Sequence, residues 1–338
     1  MPSIGTRIQW KRELEMRSAQ LVLISTAFVA CGFLALAEQT PAPQTAGGRG
    51  QGVVAADGAA PGTPGRGQGR GQGRGAGRGA RTRKAVLAWA DTRNGQAQHD
   101  SVSHALAVIE RLGYETGAYD TYIRTDSNIV AKQPLKTDGT PASGGPSLSN
   151  VDAIFFMGHR EVPIDDKQKA ELLSFVRDEG KGFVAAHVAE TAFESWPEFG
   201  ELLGARFDGH PVVGPGVIIS EDPNFPATKH FPASSNFTDE FYQPKDYSRD
   251  KIHVLLRLDL SKVPPNPGIH RTDGDFPLAW AKTYGKGRVF YGSFAHAAGT
   301  WDLRDVQQMY FEAIQWALGV TTADLAPHPM RGTAPAVQ

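Results

Sequence analysis

Four of the ten histidines, His99, His159, His187 and His296, each stand shortly after a short apolar run. An imidazole at such a place is a general base, a metal ligand or a surface group, and four comparable placements favour one shared site. His187 is the most informative. Ala185-Ala186-His187-Val188-Ala189 reads as a tight strand-to-helix turn with small residues on either side of the ring. A nucleophile elbow holds Ser or Cys at such a turn. Imidazole there is a good metal ligand or base and a poor nucleophile for acyl transfer. A second polar cluster comprises Phe207-Asp208-Gly209-His210-Pro211 and then Thr238-Asp239-Glu240-Phe241-Tyr242. Asp208 and Glu240 have the chemistry to bind hydroxyls or to serve as acid and base. Imidazoles with one carboxylate suit zinc or a similar divalent ion, with a position left open for water. The expected catalytic set is therefore His99, His187, Asp208, Glu240 and His296, and the expected metal ligands are His187, His210, Glu240 and His296. The metal expectation rests on residue types, since no HExxH-like spacing occurs. A glycosidase with paired carboxylates stays open too, because its mechanism turns on a separation that sequence does not give.

The elements needed to converge these groups are legible. Ala85–Ala90 is a short apolar run suited to a strand buried on both faces. Val102, Leu106, Ile109 and Leu112 recur at helical spacing up to Gly113, which reads as a cap. Tyr114–Tyr122 reads as a second strand, and a Pro/Gly/Ser-rich connection covers Gln133–Asn150. Val151–Met157 gives a further apolar run, Gln168–Val176 a helix, and Lys181–Ala186 a strand. Residues 212–280 carry many prolines and read as irregular, with extended runs at Gly216–Ser220 and Ile252–Leu258. Pro277–Thr283 and Arg288–Ser293 form two strands joined by a hairpin-like Tyr-Gly-Lys-Gly, and Val306–Leu318 is the last helix. Alternating strands and helices predict an α/β fold with a parallel sheet covered on both faces, whose ligand crevice lies at the carboxyl ends of the strands. Trp89, Trp196 and Trp301 fall near those ends, where an indole packs into the core or stacks on a sugar ring.

Composition excludes several alternatives. Residues 85–338 hold 23 basic and 32 acidic side chains, which disfavours nucleic acid as a partner of the folded part. The single cysteine, Cys31, precedes that part, so thiol catalysis and cysteine-based zinc sites are excluded. Basic residues before the apolar run 19–37, which ends in Ala35-Leu36-Ala37, predict a cleaved export signal over 1–37 and a periplasmic or secreted protein. Once that signal is cleaved no stable membrane span is expected. Lipid attachment at Cys31 is the lesser alternative, and Met16 is a second candidate start. Residues 38–83, rich in Gly, Arg and Pro, cannot bury apolar surface and are expected to be a disordered linker. The globular domain is expected over 84–320, followed by a flexible tail over 321–338.

Several of these stretches resemble the trehalose-utilisation ThuA-like family. They are His99-Asp100-Ser101, Gly182–His187, Trp196-Pro197-Glu198-Phe199 through Leu203–Pro211, Asp239–Tyr242, Gly285–Tyr291, and Gly292–Trp301 with His296. The similarity spans about residues 84–320. It implies a flavodoxin-like sheet related to class I glutamine amidotransferases, with a strand-rich insertion before the last strands. His187 would then stand where those enzymes carry cysteine, so glutamine amidotransfer itself is excluded. The resemblance implies a small-molecule sugar partner, trehalose or a related oxidised (keto) disaccharide; the residue types point to an enzyme using a His/carboxylate site with a divalent metal such as zinc. A non-catalytic sugar-binding or scaffold protein on the same fold is the alternative. Homo-oligomer formation stays open. The chain departs from the family at Asp275-Phe276-Pro277, where a histidine before proline is common, and at His159.

Overall fold

The computed structural model describes residues 83–136 and 138–331. The expected signal segment, Cys31 and nearly all of the Gly/Arg-rich linker therefore lie outside the described residues. Nine strands form one sheet in the order β2-β1-β3-β4-β9-β8-β7-β5-β6. Their ranges are β1 Lys84–Trp89, β2 Tyr119–Arg124, β3 Ala153–Phe156, β4 Gly182–Ala186, β5 Arg206–Ser220, β6 Ser234–Lys245, β7 His253–Leu258, β8 Pro277–Tyr284 and β9 Gly287–Gly292. The first five in spatial order, β2-β1-β3-β4-β9, pair in parallel, which is the flavodoxin strand order. The other four extend the sheet antiparallel.

Strand alternation splits the core in two. Val86, Ala88, Phe155, Val184, Ala186 and Phe290 face α1 (Ser101–Thr116) and α4 (Arg304–Ala317). Leu87, Trp89, Ile154, Phe156, Phe183 and Tyr291 face α2 (Asp166–Arg177) and α3 (Pro197–Leu203). A strand with helices over both faces must be apolar where it is covered, and β1 from Ala85 onward, β3 and β4 are. No described helix is long and apolar enough to cross a membrane.

Three expectations are corrected. The first helix runs to Thr116 and is capped by Gly117 at φ +67°, while Gly113 lies inside it. Gly113 is there for closeness, because a Cβ would collide with the ring of Tyr119. The second strand consequently starts at Tyr119. The stretch read as irregular contains a long antiparallel pair, β5 with β6. Its prolines misled because Pro211 and Pro215 suit β5 where it has a neighbour on one side only: β7 reaches no further than Ile218–Ser220. Residues from 321, for which the sequence suggested a flexible tail, are tied down as far as Arg331. Arg288 donates to the carbonyl of Thr321, His253 to that of Ala326, and His328 to that of Val254.

Candidate functional site

The five parallel strands end on one side, and the segments leaving β1, β3, β4 and β9 carry His99, His159, His187 and His296 there. Left-handed backbone bends three of these exits. Arg160, just after His159, has φ +53°, His187 has φ +39° and opens the short 3-10 turn His187–Thr191, and Ala295, just before His296, has φ +83°. Non-glycine residues held in this region cost about 1–3 kcal/mol each, so the surroundings must fix them. For His187 the anchor is a hydrogen bond from Nδ1 to the carbonyl of Ser293 at 2.6 Å. For the β9 exit it is Asp239, whose carboxylate accepts from the backbone N–H of Ala295 (2.6 Å) and of His296 (3.1 Å). Trp301 adds a hydrogen bond to the carbonyl of Ala295.

The Ser293 carbonyl can only accept, so Nδ1 of His187 carries a proton and Nε2 is the ring atom turned to the site. Nε2 faces Glu240 Oε2 at 3.5 Å and His296 Nδ1 at 3.2 Å, and the last two are 2.9 Å apart. Bonds of 2.0–2.1 Å in a tetrahedral zinc site would put ligand atoms about 3.3 Å from one another. With His99 the donor set has four members, all within 4.8 Å of one another. Three imidazoles and a carboxylate therefore fit a borderline cation such as zinc in number, type and spacing. The ring of His99 meets those of His187, His296 and His159 edge-on, at 4.8 to 5.4 Å between centroids.

Electrostatics keep His99 and Glu240 in ligand form. Burial, then the neighbouring imidazoles of His187, His296 and His159, push His99 down to about 4. Burial, then the Arg160 charge and His187, do the same to His159, also to about 4. Burial opposes the charge on Glu240, but the hydrogen bond from His187 and the imidazoles of His296 and His210 prevail and hold it down to about 2. At neutral pH the centre thus has an ionised carboxylate beside neutral rings at His99 and His159.

Other residues expected from the sequence sit differently. His210 is half exposed and reaches the far oxygen of Glu240, Oε1, at 3.3 Å, while His99 occupies the place expected for it in the four-donor set. Asp208 turns away, accepting from Gln243 at 2.9 Å and pairing with His270 Nδ1 at 2.8 Å. The register shifts around Phe207 and Gly209, where β5 bulges, disrupt the alternation that would otherwise predict its face. Trp89 and Trp301 are fully buried and Trp196 nearly so; all three are core, and none is free to stack on a sugar. Asp275 pairs with Arg249 at 2.7 Å in a buried ion network with Glu221.

Three residues at the site stand outside the catalytic and ligand sets expected from the sequence. His159, absent from the expected catalytic and ligand sets, lines the cavity and contacts Thr191 Oγ1 at 2.8 Å. That hydroxyl spends its proton on the Val188 carbonyl, so His159 donates from Nδ1 and its Nε2 is a base. Tyr242 packs on His187 with centroids 4.2 Å apart. Glu190 lies buried at the foot of the site. The signal for His159 was its place after a strand, while Glu190 lies one turn from His187 and Tyr242 one strand step from Glu240. The cavity over the centre holds about 910 Å³ and is walled by Gln98, His99, His159, Glu190, Tyr242 and His296 among others. This is within the range of small-molecule sites.

A family model described as ThuA, trehalose utilisation, matches residues 85–317. No curated protein matches the chain. Among solved structures, a ThuA-like protein from Bacteroides uniformis superposes with a TM-score of 0.55 at 20% identity, covering 69% of this chain and 91% of that one. A ThuA-like protein from Parabacteroides merdae gives 0.54 at 17% identity, with 74% and 96% covered. At such identities the likeness to the two structures is one of fold.

Proposed function

The chain belongs to the ThuA, trehalose-utilisation, family, and from that premise we propose that it is an exported enzyme acting on trehalose or a related keto-disaccharide through a divalent-metal centre, zinc first. One observation carries the reading: His99, His187, Glu240 and His296 bring their ligand atoms within 4.8 Å at the floor of a cavity large enough for a sugar. A zinc ion held by these residues would supply Lewis acidity toward a sugar oxygen or a water molecule, provided that one of the four donors gives way or a fifth position opens. The protein's own groups supply the rest. Asp239 fixes the backbone that carries His296, and the Ser293 carbonyl fixes the ring of His187, so little reorganisation accompanies binding. His159 Nε2 is an unprotonated base on the cavity wall, suited to take a proton from a substrate hydroxyl or from a carbon beside a carbonyl. The paired-carboxylate route loses its second member, because Asp208 is engaged with His270 and Gln243.

The test is turnover. Purified chain stripped with a chelator and reloaded with zinc is incubated with trehalose and with keto-trehalose, and the products are followed by proton NMR. Zinc-dependent consumption of either sugar supports the enzyme. Saturable binding without consumption favours the non-catalytic sugar-binding alternative, and the absence of both removes the sugar reading. N-terminal sequencing of the protein from its native host tests export: the mature chain should begin near Glu38.

A further inference from the structure

Glu190 follows His187 by three residues in the same 3-10 turn, and its carboxyl is buried. Its Oε2 lies 2.9 Å from the hydroxyl of Tyr291, and that hydroxyl lies 2.9 Å from the carbonyl of His187. The proton count of this row decides its state. A carbonyl brings no proton and a hydroxyl brings one, so both contacts are hydrogen bonds at once only if the carboxyl supplies the second proton. Oε2 then donates to Tyr291, and Tyr291 donates to His187. Burial favours the same uncharged form, with the charge on Asp208 adding to it. Oε1 is left as the acid's carbonyl oxygen. It is buried and has no hydrogen-bond partner among the described residues, although Glu190 is part of the cavity wall.

Such an atom is costly to leave unmatched, and native structures rarely do so without a reason. What it lacks is a donor. An ether or carbonyl oxygen of a ligand cannot supply one, and an anion would be repelled. An alcohol can. We propose that Glu190 is a substrate-binding residue of this site, its Oε1 accepting a hydrogen bond from one hydroxyl of a polyhydroxylated ligand seated over the histidines. The inference rests on the sugar reading above, and it adds the residue that recognises a hydroxyl away from the four ligand atoms. The row Glu190–Tyr291–His187 also couples this contact to the turn that carries His187. A bound hydroxyl thereby holds the carboxyl in the orientation that keeps Tyr291 on the His187 carbonyl.

Two replacements separate recognition from packing. In Glu190→Gln the amide nitrogen donates to Tyr291 and the carbonyl remains an acceptor; in Glu190→Leu neither group exists. Calorimetric titration of the zinc-loaded full chain with trehalose, keto-trehalose and maltose should give similar affinities for wild type and Glu190→Gln. Glu190→Leu should bind about tenfold more weakly. A second measurement needs no destabilising variant. The infrared C=O stretch of a protonated carboxyl, assigned by its loss in Glu190→Gln, should move to lower frequency when the sugar binds wild type. A packing role would leave that band in place. Sugar binding by wild type with an unshifted band, or with equal affinity in a folded Glu190→Leu, overturns the inference and spares the sugar reading. No binding of any of the three sugars by wild type overturns both.

Discussion

Glu190 allows an internal electrostatic cost to be read out as stability. Its carboxyl is pushed from an ordinary 4.5 up to about 8, chiefly by burial. For a raised acid, the stability gained by holding the proton is fully present below pH 4.5 and is lost as pH rises through about 8. The ceiling on that loss is about 5 kcal/mol. Local relaxation and entry of water lower it, and about 2–4 kcal/mol is the working expectation. Glu190→Gln keeps the shape and the donor to Tyr291 but cannot ionise. Urea unfolding of both full-length proteins, with chelator present, at pH 5 and pH 9 isolates the effect, because every other titrating group cancels between them. The two should be nearly equal at pH 5, and the glutamine variant should be the more stable by that margin at pH 9. A gap that stays constant across this range would refute the buried, protonated carboxyl and the hydrogen-bond count built on it.

His187→Ala should cost stability as well as ligand binding, about 2–4 kcal/mol by denaturant unfolding, because the ring is buried, bonded to Ser293 and packed on Tyr242. A variant with wild-type stability would mean that the turn does not depend on the ring. Asp239→Ala strips three backbone N–H groups, those of Glu240, Ala295 and His296, of their acceptor. It should destabilise by about 2–4 kcal/mol and weaken zinc binding without removing a ligand, read by competition with a chromogenic chelator. Gly285→Ala combines a φ of +58° with a collision against the Arg177 carbonyl. It should lower the melting temperature by several degrees with zinc affinity unchanged.

Much of the parallel half of the sheet could be read in the sequence because burial on both faces forces uninterrupted apolar runs, as at Ala85–Ala90 and Gly182–Ala186. Those runs also located His99, His187 and His296, since the loop leaving a buried parallel strand opens onto the crevice. The antiparallel half was harder. Prolines in β5 pair with a single neighbour and look like loop, and the bulges near Phe207 and Gly209 turn Asp208 off the face that alternation suggests. Gly113 and Gly117 are indistinguishable as letters, and only the ring of Tyr119 packed against the former decides which one ends the helix. The partners that hold the site, Asp239 to the β9 exit and Glu190 to Tyr291, join residues 56 and 101 positions apart. No local pattern in a single sequence carries such contacts.

The central claim is that His99, His187, Glu240 and His296 hold one divalent ion. It is tested most directly by elemental analysis of the purified chain after chelation, reloading with zinc and desalting. Wild type should retain about one equivalent of zinc, and a folded Glu240→Ala/His296→Ala double variant should retain almost none. Equal retention by the two proteins, or none by wild type, would contradict that claim.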